Sequence, residues 1–305
     1  MKYIDILNSD LKVSQIALGC MRIAGKTPEQ LEELLSKAMD LGINFFDHAD
    51  IYGGGKSEEV FGEVLKRHPD WREKMIIQTK CGICKGYYDF SKKHIIESVN
   101  KSLERLQTDY VDVLLLHRPD ALMDPKEVAE AFDELYENKM VKYFGVSNMT
   151  PYQIELIQKY TKHKLLFNQV QFNVVNAGMI DSGINANMTN PQSVDHDGGI
   201  LDYCRIHDIT IQPWSILQAS WEKGTFLDHP DYQKLNDLLA TLGEKYKVNK
   251  STLSLAWILR HPASMQPIAG TTSPDHLEEL CQAVDIELSR EDWYALYLSV
   301  DRPLP

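Results

Sequence analysis

Short apolar runs alternate along the whole chain with segments of helical periodicity. The runs begin near Ile16, Ile43, Met75, Val111, Val141, Leu166, Ile209 and Met265. Continuous apolar runs of this length, bounded by turn residues, read as strands buried on both faces. Between them apolar residues return every three or four positions. Leu31, Leu34, Leu35, Ala38 and Leu41 form one such stripe, and Ile95, Val99, Leu103 and Leu106 form another within Ser91 to Leu106. Helix start signals punctuate the pattern. Thr27-Pro28-Glu29-Gln30 supplies an N-cap, a proline at the first helical position and a capping-box partner; Asp124-Pro125, Thr150-Pro151 and Ser273-Pro274 repeat it. Leu235 to Tyr246 and Thr252 to Leu259 also read as helices, and Ser57 as the cap of a helix from Glu58 to Lys66.

Eight strands alternating with helices predict parallel pairing through right-handed crossovers, and in 305 residues a closed (β/α)8 TIM barrel fits best, as a single domain over residues 1–305. The rival is a doubly wound open sheet. Against it, the turn after the first strand, Gly19 to Ala24, lacks the G-x-G-x-x-G fingerprint. Ahead of the barrel, Tyr3 to Leu7 and Leu11 to Val13 flank Asn8-Ser9-Asp10, a predicted N-terminal β-hairpin that caps one end. Two connections exceed plain barrel loops: Asn173 to Gly199 and Ser215 to His229. Both leave carboxyl ends of strands, so both are expected over the mouth as lids or binding loops.

Composition narrows the class. Hydrophobic residues make up 43%, enough for such a core, and no stretch approaches the ~20 apolar residues of a membrane span. Asp5 and Asp10 interrupt the start, which does not read as a signal peptide. A net charge of -12 argues against nucleic acid as a partner. The five cysteines are odd in number and scattered, as in a reduced, cytoplasmic chain. Cys81-Gly82-Ile83-Cys84 lacks the second pair of a zinc site and the helix start of a thioredoxin site. It reads as two loop cysteines, with a redox-sensitive pair as the alternative. Asp195-His196-Asp197 has no further ligand at set spacing, and no metal is expected.

Chemistry gathers where the strands end. Asp47, Tyr52, Lys80 and His117 each lie at or just after the carboxyl end of a predicted strand, the end where β/α barrels carry their sites. A free tyrosine titrates near ~10. An ammonium beside it stabilises the phenolate, so Lys80 is expected to make Tyr52 a stronger acid, with Asp47 orienting Lys80 and His117 bonding a substrate oxygen. Ser147, Asn148 and Gln169 follow later strands and suit a carboxamide, which both donates and accepts. Trp214 can stack on a flat ring. The helix start at Ser273, after Gly270-Thr271-Thr272, offers backbone N–H groups to a phosphate. A flat carboxamide-bearing ring joined to phosphates describes a nicotinamide dinucleotide.

Over essentially its whole length the chain resembles the aldo-keto reductase family. The motifs that carry the resemblance are GINFFDHADIYG, the strand ending QTK, LLLHRP, FGVSN, FNQVQ, PWSIL and PIAGTTSPDHLEEL, in family order. It implies a (β/α)8 barrel that reduces an aldehyde or ketone, a small-molecule carbonyl substrate, with NADPH or NADH. It implies a catalytic tetrad of Asp47, Tyr52, Lys80 and His117. The cofactor positions it implies are Gly19, Cys20 and Met21; Ser147, Asn148 and Gln169; Trp214, Ser215, Ile216 and Leu217; and Gly270, Thr271, Thr272, His276 and Glu279. Gly270, His276 and Leu280 stand where many members carry lysine, arginine and asparagine for the 2′-phosphate, which leaves the choice between NADPH and NADH open. The segment Gln218 to Phe226 lacks the family's usual glycine-rich run. Met21, Ile23, Tyr87, Tyr88, Phe90 and part of the Asn173–Gly199 loop are expected to wall a partly aromatic substrate cleft. Two other readings remain: a cofactor-binding, redox-sensing protein of the same fold with little turnover, and a barrel lyase using Lys80 as a Schiff-base nucleophile.

Overall fold

The computed structural model describes residues 1–305. A two-stranded antiparallel hairpin comes first, β1 (Tyr3–Asp5) and β2 (Lys12–Ser14). The barrel strands follow: β3 (Ala17–Gly19), β4 (Phe45–Asp47), β5 (Ile76–Cys81), β6 (Val111–Leu116), β7 (Val141–Ser147), β8 (Leu165–Gln171) and β9 (Thr210–Trp214). A small hairpin, β10 (Gln218–Ser220) with β11 (Gly224–Thr225), precedes the last barrel strand, β12 (Ile268–Ala269). The eight barrel strands are all parallel, in the order β12-β3-β4-β5-β6-β7-β8-β9. The Gln266 N–H donates to Ile211 O at 3.0 Å, drawing the last strand back to β9 and nearly closing the barrel. This is the predicted (β/α)8 fold, N-terminal hairpin included. The last strand starts three residues later than its apolar run.

Helices pack around the barrel, and their caps follow the start signals. Thr27 forms the expected capping box for α1 (Pro28–Asp40), Ser91 caps α3 (Lys92–Leu106) and Asp124 caps α4 (Pro125–Glu137). The exception is α2 (Lys56–Arg67). Its N-cap is Gly55, and Ser57 lies inside the helix with its hydroxyl donating to the Met21 carbonyl at 3.4 Å. The preceding turn takes Gly53, Gly54 and Gly55 through φ of 60°, 66° and 94°, a left-handed run that side chains resist. That turn lets Tyr52 end its loop facing the barrel while α2 starts at once. No helix is long and apolar enough to cross a membrane.

The barrel interior is layered. At the amino-terminal end Ile6, Leu11 and Val13 of the hairpin pack with Phe45, Val113, Phe167 and Ile268, so the hairpin is an apolar floor. Phe45 and Phe167 meet edge to face with ring centroids 5.8 Å apart. Side chains alternate along a strand, so the inward positions two residues further on are Asp47 above Phe45 and Gln169 above Phe167. The layer above the floor is therefore polar, and the site stands on it.

Candidate active site

Lys80 is fully buried near the end of β5, and its ammonium meets three acceptors. It donates to Asp47 Oδ2 at 2.9 Å, to the His48 carbonyl at 2.8 Å and to the Tyr52 hydroxyl at 3.0 Å; Asp47 Oδ1 lies 2.8 Å away. An ammonium has three protons, and each has a partner here. Burial works against the charge on Lys80, but Asp47 and Tyr52 outweigh it and raise its pKa above the ordinary lysine value.

The Tyr52 oxygen accepts from Lys80 and keeps its own proton free to donate. Burial is the largest influence on the phenol and raises it above ordinary tyrosine, with Asp47 adding to the rise and Lys80 opposing it. The expected acid strengthening by Lys80 is therefore present but outweighed by desolvation. The phenol stays protonated. The His117 ring stands nearly perpendicular to Tyr52, centroids 6.0 Å apart, and its Nδ1 has no partner in the chain. Burial, then Lys80 and Arg118, hold His117 well below the ordinary histidine value, so it is a neutral ring.

Asp47 is tied down by more than Lys80. Its Oδ1 accepts the amides of Gln78 at 2.6 Å and Gln169 at 3.0 Å. The same two amides reach Gln212 Oε1 at 2.9 and 3.3 Å, Gln212 donates to Gln266 at 2.9 Å, and Gln266 donates to the Ser14 carbonyl at 2.8 Å. Four buried glutamines thus run from the carboxylate to the hairpin floor. Gln78, Gln212 and Gln266 were missed from sequence. The signal was there: a polar residue within each apolar run, Gln78 two positions before Lys80 and Gln212 two before Trp214, hence on the same inward face.

The residues assigned to a carboxamide form a chain of their own. Trp214 Nε1 donates to Asn148 Oδ1 at 3.1 Å, Asn148 Nδ2 to Ser147 Oγ at 2.7 Å, and Ser147 Oγ to the Gln169 carbonyl at 3.0 Å. Asn148 and Ser215 hold left-handed backbone at φ of 57° and 52°, turning the chain at the ends of β7 and β9, the strands on either side of β8. Asp47, Tyr52 and His117 open on a cavity of about 700 Å³ whose wall also includes Ser147, Asn148, Gln169 and Trp214. It continues past Ser215, Ile216 and Leu217 to Gly270, Thr271 and His276. Ser273 caps the helix Pro274–Cys281 by accepting the His276 N–H at 3.4 Å.

Several residues expected at the cofactor or in the substrate cleft lie off the cavity wall. Gly19 and Met21 are on the wall, but the Cys20 thiol is buried and turned toward the Leu18 carbonyl. Thr272 is off the wall, and Glu279 is drawn away to Asn249 at 2.8 Å. Ile23 and Phe90 are core residues, and Tyr87 and Tyr88 are exposed outside the cavity. Ile83 takes the place foreseen for them.

No residue of the Asn173–Gly199 loop reaches the wall. It contains a helix (Gly178–Ile184) whose Asp181 is held by Arg302 at 2.9 Å and Tyr297 at 2.8 Å near the carboxyl terminus. Its first residues support the other long loop: Asn173 Nδ2 donates to the Ser215 and Gln218 carbonyls at 2.7 and 2.9 Å, and Asn176 Nδ2 to Gln218 and Ala219 at 3.0 and 3.1 Å. The cover over the mouth is the β10–β11 hairpin, which contributes Gln218, Gly224 and Thr225, with Trp221 at its tip. Asp195 caps a local turn through the Asp197 and Gly198 N–H groups. Cys81 and Cys84 are free thiols; Cys81 is buried, and Cys84 Sγ lies 3.7 Å from His94 Nε2.

A parallel barrel with its polar groups gathered at one mouth defines the class of protein, and the comparisons with known proteins define the family. The sequence profile of the Aldo/keto reductase family matches residues 15–297, and the chain belongs to that family. The chain is 34% identical over 296 residues to the oxidoreductase YdhF of Escherichia coli, covering 93% of this chain and 92% of that one. It is 32% identical over 304 residues to a 6-dehydroglucose reductase of Agrobacterium fabrum, covering 95% of each. A crystal structure of a thermostable aldo-keto reductase in complex with the inhibitor epalrestat superposes with a TM-score of 0.78 at 25% identity, covering 98% of this chain and all of that one.

Proposed function

We propose that this chain is a carbonyl reductase that takes its reducing equivalents from a nicotinamide dinucleotide, NADPH or NADH. When bound, the cofactor supplies the hydride that adds to the carbonyl carbon of an aldehyde or ketone. The residues present fit it: an indole on the cavity wall beside Asn148, and hydroxyl and backbone groups of Thr271 and Ser273 at a helix start. Gly270, His276 and Leu280 place no fixed cation there, which supports a weak distinction between the two dinucleotides.

The observation that carries the reading is the buried relay from Asp47 through Lys80 to Tyr52, ending in a phenol that still owns its proton at the cavity wall. Tyr52 gives that proton to the carbonyl oxygen as negative charge develops on it. Neutral His117 presents a ring nitrogen to the same oxygen and fixes which face of the carbonyl is attacked. Lys80 stays charged and stabilises the phenolate left behind, and Asp47 keeps Lys80 in place. Tyr52→Phe removes the proton and leaves the cavity intact. Its turnover of a carbonyl panel is expected to fall at least about a hundredfold, the usual scale of general acid catalysis, while quenching of tryptophan fluorescence by NADPH persists. Turnover close to wild type in that variant would remove Tyr52 from the role.

A further inference from the structure

Five arginines of the chain are half-buried. Four have partners: Arg72 with Asp112, Arg105 with Glu58, Arg260 with the Leu288 carbonyl and Arg302 with Asp181. The fifth, Arg118, has none. No carboxylate lies within 4.0 Å of its guanidinium and no acceptor bonds it. It leans over the Trp214 ring, guanidinium carbon 5.6 Å from the centroid. It lines the cavity and directly follows His117 in the chain. The single carboxylate on that wall is Asp47, already taken by Lys80, Gln78 and Gln169. In a chain of net charge -12, a half-buried guanidinium without a counter-ion beside the group that holds the substrate oxygen is the exception that needs a ligand.

From this we infer that the carbonyl substrate carries an anion, a carboxylate or sulfonate, and that Arg118 receives it. The inference rests on the reductase reading and adds the class of substrate to it. A guanidinium matches such groups with two parallel N–H bonds, and the fork also fixes the orientation of the substrate. The competing anion is the diphosphate of the dinucleotide, for which the wall offers a second unpaired guanidinium, the exposed Arg22. Arg118 is assigned to the substrate because it adjoins His117.

The test compares 4-formylbenzoate and 4-formylbenzenesulfonate with neutral methyl 4-formylbenzoate, under NADPH, for wild type, R118M, R118K and R22M. In the wild type, kcat/KM for one or both anions is expected to exceed that for the ester by about tenfold or more, the scale of a charge-assisted hydrogen-bond pair. Which anion gains tells carboxylate from sulfonate. R118M is expected to bring the ratio close to one, mainly through KM, R118K to keep part of it, and R22M to keep it whole. Equal kcat/KM for anions and ester in the wild type overturns the proposal, as does an unchanged ratio in R118M. So does an R118M that keeps the ratio but loses NADPH affinity by fluorescence titration, which assigns Arg118 to the cofactor phosphates. Absence of turnover on every aldehyde, with no quenching by NADPH, removes the reductase reading itself, and this inference with it.

Discussion

The Gln78 amide sits 2.6 Å from the Asp47 carboxylate in the middle of the barrel, and the bond ties the cavity end to the floor. Asp47 faces Lys80 with both oxygens, so its rotation about the side-chain bond sets where the ammonium stands, and the ammonium sets Tyr52. Gln78 and Gln169 hold Oδ1 from two neighbouring directions. Gln212 then holds both amides, and Gln266 anchors Gln212 to the hairpin through Ser14. A buried polar network of this kind rigidifies what it touches; within it Gln78 Oε1 is the one buried side-chain polar atom left without a partner.

Gln78→Leu cuts the network at its strongest link. Asp47 loses one donor, and Gln212 Oε1 loses one of two. A buried acceptor left short by one bond costs about 1–3 kcal/mol, which is expected as a drop in melting temperature. The mark of a positioning role is kinetic: kcat falls about tenfold, on the scale of slight misplacement of reacting groups, while NADPH affinity by tryptophan quenching stays within a factor of two. A variant that loses stability with kcat unchanged would make the glutamines scaffold alone.

The two groups that flank the proposed carbonyl site titrate away from neutrality in opposite directions. Burial and Asp47 raise Tyr52 above the ordinary tyrosine value, against Lys80, so the acid form persists through alkaline pH. Burial, Lys80 and Arg118 depress His117 well below the ordinary histidine value, so the neutral ring persists through mildly acid pH. The expected profile of kcat for carbonyl reduction is therefore flat at least from about pH 6.5 to about pH 10, the interval between the ordinary values for the two side chains. A limb with an apparent pKa near 6.5 that disappears in His117→Gln would show that His117 titrates within the working range and contradict its burial.

The fold was legible because its signals are local. Apolar runs for strands buried on both faces, and Thr-Pro or Asp-Pro starts for helices, need no knowledge of tertiary contacts. Asp47, Tyr52, Lys80 and His117 were legible for a related reason: position at a strand end follows from chain order. What failed depends on where loops travel. The Asn173–Gly199 loop leaves a strand at the mouth as expected, but Arg302 and Tyr297 pull its helix toward the carboxyl terminus, and only Asn173 and Asn176 remain to brace the Ser215–Gln218 segment. Ile23 and Phe90 were misplaced for the same reason; apolar side chains in the loops that follow strand ends can turn either to the cavity or to the core, and both turned to the core. The sign on Tyr52 failed because sequence shows the partner, Lys80, and not the depth of burial that outweighs it.

His48 lies between Asp47 and the rest of the loop, turned outward against Phe61, ring centroids 4.5 Å apart, with neither ring nitrogen hydrogen-bonded. Burial, and secondarily Lys80, push its pKa down to about 3. An unfolded histidine titrates near ~6.5, so between these values the unfolded chain binds a proton that the folded chain refuses. The pKa is depressed on folding; the contribution of neutral His48 to stability is complete above about pH 6.5 and is lost as pH falls toward 3, amounting to about 2 kcal/mol by pH 5. His48→Leu keeps an apolar side chain of similar volume against Phe61 and leaves the backbone carbonyl that receives Lys80. Its melting temperature is expected to match wild type or exceed it slightly at pH 8, since two unpartnered polar atoms are gone, and to exceed it by a growing margin as pH is lowered to 5. A margin that stays constant from pH 8 to pH 5 would show that His48 protonates freely in the folded chain, and the burial argument would fail.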